Sequence, residues 1–183
     1  MKIVVAGEGA FGRKHLEALR NIQDIEVVSI AGGVESATQA AADDFNIPHW
    51  SLDLQESLAQ PGVEATILVT PTPIHASQAM QVLEAGKHVF VEIPMADNIE
   101  DSRALAALAL ESGLVSMVGH VRRFNPPHQW IQNQVRCGNL EIQQMDIQTF
   151  FFRRSNLNAL GQPRSWTDHL LWHHAAHSID LFM

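Results

Sequence analysis

The sequence predicts an α/β protein, with a doubly wound parallel sheet followed by a second region of different character. Three observations predict it. Short apolar runs alternate with helical segments along the first 120 residues, the pattern of parallel strands joined by helical crossovers. A glycine-rich turn joins the first strand to the first helix. Beyond His120 the charge changes: residues 1–120 carry 6 Lys and Arg against 16 Asp and Glu, whereas residues 121–183 carry 6 Arg, no Lys and 4 acids. Two domains follow, residues 1–120 and residues 121–183.

Each element has a local reason. Lys2–Ala6 is an apolar run that suits a strand buried on both faces. Ala10–Leu19 reads as a helix, Ile25–Ala31 as a strand and the Ala-rich Glu35–Phe45 as a helix. Asn46-Ile47-Pro48 turns the chain into a short strand at His49-Trp50. Leu52–Ala59 is a short helix before Pro61-Gly62. Ala65–Val69 is a strand, and Ile74–Ala85 is a helix closed by Gly86. His88–Glu92 is a strand ended before Pro94. Ile99–Leu110 is a helix ended by Gly113, and Leu114–Val118 is the last strand of the alternating part. Pro126-Pro127 open a helix to Cys137. Gln143–Phe152 reads as one long strand, Arg153–Arg164 as a polar loop and Trp166–Met183 as a helix. A lone strand leaves open edges, and Leu181-Phe182-Met183 carries no helix-ending signal. The chain is therefore expected to be the front part of a longer protein, truncated within its second domain. A swapped or oligomeric sheet is the other option.

Composition excludes several classes. With 46% hydrophobic and 17% charged residues, the chain can bury a core and is not a disordered tract. One cysteine, Cys137, excludes an internal disulfide, and a reducing cytoplasm is the expected location. No stretch approaches the roughly 20 apolar residues of a membrane span. The first residues enter a strand at once, without a signal-peptide cleavage pattern. A net charge of −8 argues against general nucleic-acid affinity.

Gly7-Glu8-Gly9-Ala10-Phe11-Gly12 fits G-x-G-x-x-G, after a strand and before a helix. In a Rossmann dinucleotide site, Gly7 makes the tight turn, Gly9 lets the backbone approach a pyrophosphate and Gly12 allows close helix–strand packing. Ala10 and Phe11 open the helix, whose N–H groups favour an anion. The acid expected roughly 20 residues on, for a ribose hydroxyl, is missing. Ile30-Ala31-Gly32-Gly33-Val34-Glu35 stands there, with no Arg for a 2′-phosphate. Glu35 either turns back to a ribose or starts the next helix. From these residues NAD and NADP both remain open.

Further motifs follow. They are Thr70-Pro71-Thr72-Pro73-Ile74-His75, Ala85-Gly86-Lys87-His88-Val89-Phe90-Val91-Glu92-Ile93-Pro94, Gly119-His120 and Arg122-Arg123-Phe124-Asn125-Pro126. With the glycine turn they resemble the glucose–fructose oxidoreductase / inositol dehydrogenase / rhizopine catabolism family. The resemblance spans the chain. It implies an N-terminal Rossmann domain binding NAD(P) and a C-terminal α+β domain holding substrate, in a full-length protein expected to be a homo-oligomer. It places Thr70, Pro71, Thr72, His75, Glu92 and Pro94 beside the cofactor. Pro94 is a candidate cis proline.

Gln143-Gln144-Met145-Asp146, Phe151-Phe152-Arg153-Arg154 and Ser165–His177 are similar to the branch that serves protocatechuate 4,5-cleavage, and Glu92-Ile93-Pro94 fits it too. That branch oxidises the hemiacetal of a dicarboxylate semialdehyde to 2-pyrone-4,6-dicarboxylate with NADP. Two positions depart from the wider family. Ile93 stands where Lys is usual, and His173 stands where the first acid of Asp-x-Gly-x-His-x-x-Asp is usual. A sugar or inositol dehydrogenase of the same family, or an inactive nucleotide-binding fragment, is the alternative.

On a helix, His169, His173 and His177 share a face, and Asp180 joins His177. A histidine can take the hydroxyl proton during hydride transfer. His177 is the candidate base, His173 the second candidate, and Asp180 orients His177 or ends the helix. Each histidine is alternatively a hydrogen-bonded packing residue. Three histidines spaced by four can also hold zinc, but hydride transfer to nicotinamide needs no metal, and none is expected. Arg122, Arg123, Arg153, Arg154 and Arg164 are available for the substrate's carboxylates, with Trp166 and His174 as further substrate candidates. Arg123 is alternatively an ion-pair partner, and Asp168 alternatively a helix cap.

Overall fold

The structure, a computed structural model, describes residues 1–150, 157, 163 and 175–183. The chain divides into two compact units, Met1–Gly119 and His120–Met183.

In the first unit six parallel strands alternate with helices. They are β1 (Lys2–Ala6), α1 (Ala10–Leu19), β2 (Glu26–Ala31), α2 (Glu35–Phe45), β3 (His49–Ser51), α3 (Leu54–Leu58), β4 (Val63–Leu68), α4 (His75–Glu84), β5 (His88–Val91), α5 (Ile99–Ser112) and β6 (Ser116–Val118). The sheet order is β3-β2-β1-β4-β5-β6. Its direction of growth reverses between β1 and β4, and ligands of such sheets bind beyond the strand ends at that reversal.

Both faces are covered, which explains the unbroken apolar runs. Val4 and Ala6 face a cluster with Leu54 and Leu58 of α3, Ala76, Ala79 and Val82 of α4, and Leu105 of α5. Val5 points the other way, to Leu16 of α1 and to Ala41 and Ala42 of α2. Gly32, just after β2, lets α2 lie close to the sheet: it has no room for a Cβ because the Thr38 side chain of α2 fills that space.

Helix ends follow their signals. Asp53 caps α3 by accepting from the Gln55 N–H at 2.8 Å, and Asn98 caps α5 by accepting from the Asp101 N–H at 2.7 Å. Asn46 closes α2 in the left-handed region, as does Gly113 after α5. Glu35 starts α2. The helix expected from Ile74 begins instead as a 3₁₀ turn, Thr72–Ile74, and turns α-helical at His75. Pro73 brings no N–H to that first turn.

The second unit holds a 3₁₀ turn at Val121–Phe124, α6 (Pro126–Arg136) and α7 (Ala176–Leu181). The two prolines do open α6. The long strand expected over residues 143–152 is corrected over its described part: residues 144–150 carry no regular structure, and residues 151–152 lie outside the described residues. Alternation favours an extended chain, but a strand exists only with a ladder partner, and these residues have none among the described ones. Of the helix expected over 166–183, the described part is helical from Ala176 to Leu181. Among the described residues no helix is long and apolar enough to cross a membrane.

Candidate active site

The site in the first unit is built at the carboxyl ends of β1, β4 and β5. After β1, Gly7 donates its N–H to Ala31 O at 2.8 Å with φ +117°. A Cβ there would lie 2.6 Å from Val69 O. A Cβ on Gly12 would collide with the carbonyl of Gly7, so these two glycines hold α1 tightly against the turn. Gly9 differs: a Cβ there would meet nothing within 4 Å. It forms the N-cap of α1 with no side-chain cap, and no acid lies in the first helical turn. Ala10 opens α1 and Phe11 is largely exposed beside it. A backbone held clear of side chains at a helix N-terminus is what a pyrophosphate needs, so the residues present fit a dinucleotide.

Beyond β4, Val69 donates its N–H to Ala6 O, which joins the two strands at the reversal. Thr70 Oγ1 donates to Gln78 Oε1 at 2.6 Å. Pro71 is extended, and Thr72 begins the 3₁₀ turn. His75 is only 2% exposed. Its Nδ1 lies 2.8 Å from Pro94 O and its Nε2 lies 2.6 Å from Thr70 O. The ring therefore ties the loop after β4 to the loop after β5. Any effect of His75 on a cofactor passes through Thr70 and Pro94.

Glu92 follows β5, and its Oε1 is 2.8 Å from His15 Nε2 on α1. Its Oε2 accepts from the Ile93 N–H and packs against Gly119, where a Cβ would come within 3.0 Å. The Ile93–Pro94 peptide is cis, as the sequence suggested. His15 was not singled out from sequence; its place on the inner face of α1 was the available signal.

In the sequence Glu8 occupies a variable position of the glycine turn. Its side chain crosses from the β1–α1 turn to the β2–α2 turn, where its carboxylate accepts from the N–H groups of Gly33 at 3.2 Å and Val34 at 3.0 Å. An acid in a turn suited to phosphates was the available signal.

In the second unit Asp180 is gripped by Arg123: Nε donates to Oδ2 at 2.7 Å and Nη2 to Oδ1 at 2.6 Å. His120 Nδ1 lies 3.7 Å from Asp180 Oδ1. The His120 and His177 rings meet edge to face, 6.4 Å between centroids. Arg123, expected on the substrate or in an ion pair, and Asp180, expected to orient His177 or to end the helix, are thus engaged chiefly with each other. A forked guanidinium matches both carboxylate oxygens, which a single imidazole cannot do. Arg122 offers its backbone carbonyl to His128 Nδ1 at 2.9 Å. The candidates Arg153, Arg154, Trp166, His173 and His174 lie outside the described residues, with Arg164, Asp168 and His169.

The hydrogen bonds from Arg123 hold the Asp180 carboxyl below the ordinary carboxylate range; burial opposes them, and His120, the Arg123 charge and His177 add to the lowering. The same pairing raises the Arg123 guanidinium. A carboxyl with a lowered folded pKa contributes stability that is complete above its unfolded value, about 3.9, and lost as pH falls through the folded value. Acidification below about pH 4 is therefore expected to loosen α7 from the 3₁₀ turn. Asp180→Asn is expected to remove this acid dependence and to cost about 1 kcal/mol or less, because Arg123 is largely exposed. The Arg123 Nε–H resonance, followed against pH in both proteins, checks this.

Comparison with known proteins agrees with this geometry. A family profile described as an oxidoreductase family with an NAD-binding Rossmann fold matches residues 1–120, and one for the C-terminal part of bacterial oxidoreductases matches residues 126–183. The 4-carboxy-2-hydroxymuconate-6-semialdehyde dehydrogenase of Sphingobium sp. is 56% identical over 182 residues, covering 100% of this chain and 58% of that protein. The scyllo-inositol 2-dehydrogenase (NAD(+)) of Bacillus subtilis is 30% identical, covering 76% of this chain and 41% of that protein. The chain thus spans about half the length of these relatives. Among solved structures, scyllo-inositol dehydrogenase from Lactobacillus casei with NAD(H) and scyllo-inositol superposes with a TM-score of 0.71 at 24% identity, over 75% of this chain and 41% of that one. With a profile match over the whole first unit and a glycine turn shaped as that fold requires, the chain belongs to the glucose–fructose oxidoreductase / inositol dehydrogenase family of oxidoreductases with an NAD-binding Rossmann fold.

Proposed function

We propose that the protein carrying this chain is an NAD(P)-dependent dehydrogenase. Its substrate is the cyclic hemiacetal of 4-carboxy-2-hydroxymuconate-6-semialdehyde and its product is 2-pyrone-4,6-dicarboxylate. The supporting observation is the 56% identity to the Sphingobium enzyme along the whole of this chain.

In this reading Gly7, Gly9, Ala10, Phe11 and Gly12 hold the pyrophosphate. Thr70, Pro71, Thr72, Glu92 and Pro94 border the nicotinamide end, and His75 fixes Thr70 and Pro94 in place. A bound nicotinamide supplies a hydride acceptor. The His177 ring takes the hemiacetal hydroxyl proton as the C–H hydride leaves and the lactone C=O forms, with His173 as the second candidate. Asp180, held by Arg123, carries the negative charge that steadies His120 and His177. Arg122, Arg153, Arg154, Trp166 and His174 receive the dicarboxylate, for which forked guanidinium groups are suited.

The test is turnover of purified protein with the semialdehyde and, separately, with scyllo- and myo-inositol, read by nicotinamide absorbance. Conversion of the semialdehyde to the pyrone, with inositols inert, is the expected result. Turnover of an inositol without the semialdehyde overturns the substrate and favours the polyol reading, which the 30% identity to the Bacillus enzyme supports.

A further inference from the structure

The end of β2 lacks the acid that normally binds the adenosine ribose, yet a carboxylate is present there. Position 32 cannot supply the acid, because the Thr38 side chain occupies the space of a Cβ on Gly32. Thr38 is itself fixed, its Oγ1 donating to Val34 O at 2.7 Å. Glu8 brings a carboxylate to the same turn from the opposite side, on the N–H groups of Gly33 and Val34. A Cβ on Gly33 would only touch Glu8 Oε1, at 3.9 Å, so the Glu8 carboxylate stands directly beside position 33.

We propose that Glu8 is the residue that selects the coenzyme, replacing the missing acid at the end of β2 and favouring NAD over NADP. This rests on the reading of the glycine turn as the coenzyme site, and it reverses the NADP expected from the family branch. The chemistry has two parts. A carboxylate has about four lone-pair sites, and the backbone contacts leave room to accept from a ribose 2′-hydroxyl. A 2′-phosphate brings about two negative charges toward a carboxylate and finds the Gly33 and Val34 N–H groups already occupied. Residues 30–39 contain no Lys or Arg to offset that repulsion.

The test is a fluorescence titration of the full chain with NADH and with NADPH, which reads binding and not turnover. NADH is expected to bind at least about tenfold more tightly, a preference worth about one carboxylate–phosphate repulsion near a protein surface. Glu8→Ala uncovers the two N–H groups, and Glu8→Gln removes the charge at nearly constant shape. Each is expected to tighten NADPH and shrink the preference to within about threefold. Equal or tighter NADPH binding by the unaltered chain overturns the proposal and leaves the coenzyme site standing. So does an NADH preference that survives both substitutions, since Glu8 would then merely tie the β1–α1 turn to the β2–α2 turn. Failure of the folded chain to bind either coenzyme overturns the coenzyme site and the proposal together. If neither variant folds, the ratio in the unaltered chain still decides against Glu8 when it does not favour NADH.

Discussion

Gly12→Val is expected to abolish coenzyme binding and to destabilise the first unit by about 3 kcal/mol or more, the range of severe overpacking. The new Cβ would fall on the Gly7 carbonyl. Gly7 cannot retreat, because Val69 O fills the space where a Cβ on it would stand and its N–H is bonded to Ala31 O. The clash is backbone against backbone, and no rotamer relieves it. Gly9→Ala is the matched control. Its methyl group meets no protein atom within 4 Å, so folding is expected to be unchanged while NADH binding weakens by about tenfold or more. Thermal unfolding and NADH titration of both variants separate the two roles. A Gly12→Val protein that melts normally, or a Gly9→Ala protein that binds normally, would contradict this assignment of the turn.

His177→Ala is expected to lower kcat by about 10²–10⁴, the usual contribution of a positioned acid–base group, with coenzyme affinity unchanged. His177 sits on α7 with its ring edge to face against His120, three residues before the carboxylate that Arg123 holds. That neighbourhood sets the His177 ring close to a second imidazole and to the Arg123-held carboxylate. Stopped-flow measurement of hydride transfer, paired with NADH titration, checks the split. If kcat falls by less than about threefold, His177 is a packing residue, and the proton goes elsewhere.

The first unit was legible because its signals are local. β1, α1 and α2 have the bounds expected from their apolar runs and punctuating glycines. β4 runs from Val63 to Leu68, slightly earlier than its most apolar residues suggest, because Val63 pairs with Lys2 of β1. The second unit was less legible. Arg123 and Asp180 lie 57 residues apart, and helical spacing offered His177 as the obvious neighbour of Asp180. Only the folded chain brings the guanidinium to the carboxylate. The segment Gln143–Phe152 has the composition of a strand, but composition does not supply a partner. Glu8 was hidden differently: its turn is legible as a motif, but the destination of its side chain depends on how β1 and β2 sit side by side.

The central place of β1 also governs how the protein is made. This strand leaves the ribosome before either of its sheet neighbours, for Lys2 lies opposite Glu26 of β2 on one side and Val63 of β4 on the other. Until Leu68 has been synthesised, the most apolar segment of the chain has at most one neighbour and presents an unpaired edge. At translation rates of about 5–20 residues per second, that exposure lasts a few seconds. Competition between folding and aggregation is therefore concentrated in this interval, and conditions that slow synthesis before residue 68 reduce yield even when the finished protein is stable.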